Sequence, residues 1–256
     1  MGKDIRTVFD TIPEQFDKWR PRYCGELFSD LIAYAALGPG KTVLEVGPGT
    51  GQATEPVLKT GCSYDAIELS GVFAEFMRNK YTTYSNFRIV NADFETVSFP
   101  ENHYDLVYSA AAFQWIPERI GYPKAFATLK SGGAFAMFMM RPDVQPGGGN
   151  TDEPLYQKIQ EVYTKYFRPE TKYTCSLDYE ACEKYGFTAL ERRTYKKTRT
   201  YTADGYLSLI GTHSDHITLK EPYRARFFEG IRQVILDAGD TITLYDDITM
   251  YLARKP

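Results

Sequence analysis

Apolar positions along this chain follow two alternating periods. Short runs that are continuously apolar or β-branched read as strands, and stretches with apolar residues every three or four positions read as helices. The first segment, about Thr11 to Trp19, is amphipathic and is ended by Pro21. A helical pattern from about Arg22 to Leu37 puts Leu27, Phe28, Leu31, Ile32 and Ala35 on one face, and Gly38-Pro39-Gly40 stops it. Thr42-Val43-Leu44-Glu45-Val46 then reads as a buried parallel strand running into the glycine turn Gly47-Pro48-Gly49-Thr50-Gly51. A helix from Gln52 to Thr60 follows, then a strand from Ser63 to Ile67 that ends at Glu68. Phe73 to Lys80 reads as a helix with Phe73, Phe76 and Met77 turned inward. Strands are expected at Phe87–Val90 and Tyr104–Tyr108, a helix near Tyr122 to Leu129, a turn at Ser131-Gly132-Gly133 and a strand at Ala134–Met140. Strands alternating with helices imply right-handed crossovers and an α/β, doubly wound, mostly parallel sheet.

The remainder reads differently. Pro142 to Asn150 is a proline- and glycine-rich flexible loop. Helices follow at Pro154–Phe167 and Tyr179–Tyr185, the second ended by Gly186. Phe187 to Tyr201 is a long strand rich in Thr, Tyr, Lys and Arg, with one side solvated. Thr202 starts a helix as an N-cap, and another begins near Pro222, turns Phe227, Phe228, Ile231 and Ile235 inward and ends at Gly239. The last strand, Thr241 to Ala253, alternates cleanly, with Ile242, Leu244, Ile248, Met250 and Leu252 on one face, and suits antiparallel insertion into the sheet. The expectation is a single domain over residues 1–256, with a helical lid (1–40), a ligand-binding core (41–141) and helical cap segments (142–186 and 202–239).

Composition narrows the class. With 256 residues and 43% hydrophobic content the chain can bury a sizeable core. A net charge of −3 gives no support for a nucleic-acid partner. No apolar run reaches the roughly 20 residues that span a bilayer, and Met1-Gly2-Lys3-Asp4-Ile5-Arg6 has no apolar signal core. Arg6 stands where a myristoylation start wants Ser or Thr. Cys24, Cys62, Cys175 and Cys182 form no Cys-x-x-Cys pair and read as reduced thiols of a cytoplasmic protein, with no metal. Aromatic residues make up 15%, enough to line a pocket or simply to fill core and surface. Nothing in the sequence specifies an oligomeric state.

A strand, a glycine turn and a helix in succession bind nucleotide-like ligands in open α/β sheets. The spacing here is Gly-x-Gly-x-Gly, at 47, 49 and 51, with Gln52 where a dinucleotide motif places its third glycine. That disfavours a pyrophosphate clamp, and no Gly-Lys-Ser/Thr follows to make a Walker loop. Glu68, 21 positions after Gly47, stands at a strand end where a carboxylate accepts both ribose hydroxyls, or it is a solvated loop residue. Asp93-Phe94 follows the third strand. Its acid can accept from an adenine amine and a neighbouring N–H can answer a ring nitrogen, or the acid caps a turn.

Val43-Leu44-Glu45-Val46-Gly47-Pro48-Gly49-Thr50-Gly51 resembles the first motif of class I S-adenosylmethionine-dependent methyltransferases. Glu68, Asp93 and Tyr104-Asp105-Leu106-Val107 fall in that family's order and spacing. Arg20-Pro21-Arg22-Tyr23 and Phe113-Gln114-Trp115-Ile116 are similar to the small-molecule branch that includes trans-aconitate methyltransferases. The likeness covers residues 15 to 140 well and the tail only by its strand pattern. It implies a Rossmann-like seven-stranded sheet with an antiparallel final strand. It implies S-adenosylmethionine as cofactor and S-adenosylhomocysteine as product. Gly47, Pro48, Gly49 and Gly51 then pass close to the methionine part, with Glu45 orienting the turn. Glu68 holds the ribose, Asp93 and Phe94 the adenine, Ser109 and Ala110 leave the fourth strand beside the cofactor, and Tyr23 belongs to a lid with Trp19 and Arg20. Ala111 and Ala112 offer no polar group where some branches carry Asn-Pro-Pro-Tyr, which argues against methylation of amide or nucleobase nitrogens.

The expected reaction is therefore methyl transfer to a small molecule, most readily at oxygen. A sulfonium is already activated, so the protein chiefly aligns the reactants and excludes water. A carboxylate acceptor needs no base, and a hydroxyl does. Acceptor-side candidates are Gln114, Trp115, His213 and Arg141, each with a plainer reading. Trp115 also suits a core position, His213 and His216 a polar surface loop, Arg141 an ion pair with Asp143, and Arg20 a surface salt bridge. His103 reads as an exposed turn residue, and metal binding by the two other histidines lacks further placed ligands. Competing readings are a nicotinamide-dependent oxidoreductase, disfavoured by Gln52 and by the lack of a Tyr-x-x-x-Lys dyad, and a non-catalytic nucleotide-binding module of the same fold.

Overall fold

Val43, Leu44, Glu45 and Val46 are all buried, as a strand covered on both faces requires. In the computed structural model, which describes residues 5–144, 148–150, 154–169 and 177–256, this strand is β1 (Thr42–Val46). The readings made for Met1 to Asp4, Pro146, Gly147 and Cys175 lie outside the described residues. In chain order α1 (Pro13–Trp19) and α2 (Gly25–Tyr34) precede β1. α3 (Thr54–Leu58), β2 (Ser63–Glu68), α4 (Gly71–Lys80), β3 (Phe87–Asn91), β4 (Tyr104–Ala110), α5 (Glu118–Thr128) and β5 (Leu129–Pro142) follow. Then come α6 (Pro154–Tyr166), β6 (Thr188–Tyr201), α7 (Ala203–Ile210), α8 (Ser214–Ile217), α9 (Tyr223–Asp237) and β7 (Ile242–Arg254).

The seven strands form one sheet in the order β3-β2-β1-β4-β5-β7-β6. β1 pairs in parallel with β2, Thr42 opposite Ser63, and with β4, Val43 opposite Leu106. β7 runs antiparallel to β5: Gly132 N donates to Lys255 O at 2.8 Å, and Asp143 N donates to Tyr245 O at 2.8 Å. The strand order reverses between β1 and β4, so the crevice beyond their carboxyl ends is the topological switch point.

The chain organises into two compact units. One comprises Pro21–Met140, Cys175–Tyr195 and Ile248–Pro256. Its strands send alternate residues to opposite faces. Val43, Leu106 and Tyr108 pack with Leu27, Leu31, Val57 and Met77, whereas Leu44, Val46 and Val107 pack with Phe113, Tyr122 and Phe135. The other comprises Met1–Arg20, Arg141–Thr174 and Lys196–Asp247. Its core joins Ile159 and Val162 of α6, Tyr206 and Leu209 of α7, Phe227 and Ile231 of α9, and Ile242 and Leu244 of β7. Burying a side chain such as Phe227 contributes about 1.5–3 kcal/mol. Among the described residues no helix is long and apolar enough to cross a membrane.

Two local expectations are corrected. The turn expected at Ser131-Gly132-Gly133 is instead part of β5. Gly132 has φ +74°, and the register against β4 shifts between Tyr104 and Leu106, so these glycines mark a bulge that pairs onward with Lys255. The segment around His213 and His216, offered above as a polar surface loop, contains the one-turn helix α8, with His216 buried and His213 half-buried.

Candidate cofactor site

The glycine turn is shaped by its backbone. Gly47, Gly49 and Gly51 adopt φ of +68°, +60° and +89°, a region that penalises any Cβ. A Cβ on Gly47 would collide with the Cβ of Ala112, and one on Gly51 would lie 2.8 Å from the Tyr81 hydroxyl. Gly47 N donates to Ile67 O at 2.9 Å and Gly51 N to Pro48 O at 2.9 Å. Helix α4 holds the turn from outside the sequence motif: Lys80 Nζ donates to Thr50 O at 2.9 Å, and the Tyr81 hydroxyl donates to Gly51 O at 3.4 Å.

Glu68 ends β2 and is 7% exposed. Its Oε2 accepts from Gly49 N at 3.0 Å and its Oε1 from Ser70 N at 2.9 Å. One carboxylate therefore links the glycine turn to the start of α4. Ser70 caps that helix, its Oγ accepting from Phe73 N at 3.0 Å.

Glu45 is wholly buried beneath the turn, its Oε2 accepting from Thr54 Oγ1 and from the Tyr64 hydroxyl, both at 2.6 Å. Tyr64 in turn hydrogen-bonds Tyr108. Burial pushes the Glu45 carboxyl up to about 7 against the lowering effect of these donors. Its hydrogen bonds are to the start of α3 and the floor of the sheet, so it shapes the turn from below.

After β3, Asp93 is half-buried and organises its own turn, Oδ1 accepting from Glu95 N at 2.9 Å. Phe94 is 5% exposed, its ring packed with Phe99 and Phe113, so its side chain belongs to the core. Lys124 of α5 clamps this turn, donating to Phe94 O at 2.7 Å, Glu95 O at 2.8 Å and Val97 O at 2.7 Å. Burial lowers its pKa. No sequence signal pointed to Lys124, Lys80 or Tyr81.

After β4, Ser109 turns inward and donates to Val46 O at 2.7 Å, pinning the ends of β4 and β1 together. Ala111 has φ +56°, which costs a non-glycine residue about 1–2 kcal/mol. The strained residue delivers Ala112 against Gly47. Gln114 donates to Ala111 O at 2.9 Å and accepts from the Tyr179 hydroxyl at 3.3 Å, and Trp115 beside it is half-buried. Tyr23 packs edge-on against Phe138 at 4.8 Å and Phe28 at 6.4 Å.

All these residues belong to the unit that contains β1. The other acceptor-side candidates belong to the other unit. Arg141, near the end of β5, is exposed, while its neighbour Asp143 pairs with Lys196 at 3.2 Å. His213 is held well below the usual imidazole range by burial first, then by the positive charge of Arg20 and the proximity of His216 and Arg199. Arg20 donates to Thr212 O at 2.7 Å and stacks over Phe16 at 4.9 Å.

Known proteins resemble this chain in sequence and in fold. The family described as Methyltransferase domain matches residues 44–137, from β1 into β5. Malonyl-[acyl-carrier protein] O-methyltransferase of Paenibacillus sp. is 32% identical over 133 residues, 48% of this chain and 45% of that protein. Ribosomal RNA small subunit methyltransferase A of Dehalococcoides mccartyi is 37% identical over 67 residues, 26% of this chain and 23% of that protein. The matches thus span less than half the length of these curated relatives. A solved structure of phosphoethanolamine N-methyltransferase 2 from Haemonchus contortus, in complex with phosphomonomethylethanolamine and S-adenosylhomocysteine, superposes with a TM-score of 0.59. It is 15% identical, and the alignment covers 100% of this chain and 61% of that one. Residues 44–137 thus match a methyltransferase domain, and the fold is shared with a solved methyltransferase.

Proposed function

We propose that the protein is an enzyme that transfers a methyl group from S-adenosylmethionine to a small-molecule acceptor, at a carboxylate or hydroxyl oxygen. The observation that carries this reading is the Glu68 carboxylate, fixed between Gly49 N and Ser70 N at the switch point. The glycine cradle, which a Cβ at position 47 would fill, fits the methionine end of that cofactor. Glu68 would take the ribose hydroxyls, and Asp93 with the backbone at Phe94 the adenine. Ala110 and Tyr23 would lie beside them. When bound, the cofactor supplies a sulfonium-activated methyl, so the protein's own task is alignment and exclusion of water.

The choice of oxygen rests on Ala111 and Ala112, which offer no side-chain acceptor to orient an amide or nucleobase nitrogen. A carboxylate acceptor would require no base. Gln114 and Trp115 are the acceptor-side groups that follow β4; Arg141 and His213 are the acceptor-side candidates that the other unit carries. On this reading the whole chain works as one cytoplasmic methyltransferase domain and needs neither membrane nor nucleic acid.

The test is incubation with methyl-labelled cofactor and a fractionated metabolite extract, followed by mass spectrometry. The expected result is label in a small acidic or hydroxylated metabolite as a base-labile ester or stable ether. Label on nitrogen would overturn the oxygen assignment. Absence of heat with S-adenosylhomocysteine in calorimetry of folded protein would overturn the cofactor.

A further inference from the structure

His213 precedes α8 as its N-cap, and His216 lies one helical turn on. Spacing of three residues brings both imidazoles to one side, with ring centroids 5.2 Å apart. Asp215 adds a carboxylate, and one ligand atom from each of the three lies within 4.8 Å of the others. His216 is 3% exposed and boxed by aromatic rings: Phe167 at 4.7 Å, Phe227 at 5.4 Å and Tyr163 at 5.6 Å. Its orientation is fixed at both nitrogens. Nδ1 lies 2.7 Å from Asp215 Oδ1, and Nε2 lies 2.8 Å from the Tyr163 hydroxyl. Tyr163 is hydrogen-bonded in turn to Tyr206.

We propose that His213, Asp215 and His216 form a binding site for a divalent first-row transition metal, of which zinc is the type. Two imidazoles and one carboxylate suit that class, whereas magnesium and calcium prefer all-oxygen sets. The metal takes the place of the hydrogen bond between His216 Nδ1 and Asp215 Oδ1. In the neutral ring the proton at Nδ1 relocates through solvent to Nε2, which then donates to the Tyr163 oxygen. The Tyr163 hydroxyl hydrogen turns to Tyr206, and no proton is lost overall. Tyr163 becomes a positioning residue that holds the ligand ring, the role outer partners play at histidine-metal sites. His213 and Asp215, both only partly buried, close the remaining distance by side-chain rotation. Three protein ligands leave a fourth position open to water or an added ligand. Arg20 on Thr212 O and Arg224 on His216 O bring positive charge nearby, so the site should bind more weakly than closed structural zinc sites.

The test uses the full chain, stripped with a chelator and titrated with cobalt(II) chloride, read by calorimetry and by visible absorption. One Co²⁺ per chain with ligand-field bands is expected. Asp215→Asn and His213→Gln should each weaken binding about tenfold or more, and Tyr163→Phe about 10–100-fold. These variants are chosen over His216→Ala, whose empty aromatic box would itself unfold the region. No stoichiometric binding, or binding that Asp215→Asn and His213→Gln leave unchanged, would overturn the site and reduce the cluster to a hydrogen-bonded helix cap.

Discussion

Gly47 has no room for even one carbon: its φ is +68° and a Cβ would meet Ala112. Gly47→Ala should therefore push the 109–112 segment away from the turn. We expect a loss of about 1–3 kcal/mol in stability and at least tenfold weaker S-adenosylhomocysteine binding, read by denaturant unfolding and calorimetry. Wild-type values in both would show that the turn is looser than its geometry indicates. Glu45 makes a prediction of opposite sign to that of an ion-paired carboxylate such as Asp105. Its folded pKa, about 7, is raised above the ordinary 4.5, so between these values the folded state holds more protons than the unfolded one. Its contribution to stability is thus highest below pH 4.5, falls as pH rises through that window, and levels off above about 7. Glu45→Gln should remove this decline, gaining up to about 3 kcal/mol on wild type at pH 8 relative to pH 4. Equal pH slopes in urea unfolding would rule it out. At this scale, Glu68 was legible because a strand tip and a spacing from Gly47 place it. The inward turn of Ser109 was not, because one residue of register decides which way a strand side chain points. The φ of +56° at Ala111 leaves no trace in an alanine.

Elements were legible where the pattern is local. β1 spans Thr42–Val46 as its apolar run indicates, and α7 starts after Thr202, whose hydroxyl accepts from Gly205 N at 3.2 Å. β5 was truncated in the reading, because glycines at 132 and 133 look alike in a turn and in a bulge until Lys255 pairs with them. α8 was missed, since four residues carry too little periodicity to register. The clamp from α5 to the turn after β3 was illegible for another reason: Lys124 reaches carbonyls 27 to 30 residues earlier, which no local pattern encodes. It yields a prediction about that turn as an element. Lys124→Met keeps the apolar stem but removes the donor to three carbonyls. The turn carrying Asp93 should loosen, with faster amide exchange at residues 93–97 and S-adenosylhomocysteine affinity reduced about threefold to thirtyfold. Unchanged exchange there would mean that Asp93's own hydrogen bonds suffice.

The division into two units separates the roles proposed for binding and for acceptor choice. Every residue assigned to the cofactor lies in Pro21–Met140, whereas Arg141 and His213 lie in the other unit. That separation makes the roles experimentally distinct. On the proposed reading cofactor affinity depends on the β1 turn, Glu68 and the Asp93 turn, none of which includes Arg141. Arg141 is exposed, so removing its side chain leaves no buried cavity and no orphaned core partner. If Arg141 contacts an acidic acceptor, its loss forfeits a charge-assisted hydrogen bond of about 1.5–3 kcal/mol. Arg141→Ala should then lower kcat/KM for the acceptor about 10–100-fold, with S-adenosylhomocysteine affinity within about twofold of wild type. Lys at 141 should restore part of the loss, because it keeps the charge but not the planar fork that grips a carboxylate. A defect confined to cofactor affinity would remove Arg141 from the acceptor's surroundings. A wild-type profile in both measurements would leave it as the surface cation of an ordinary strand end.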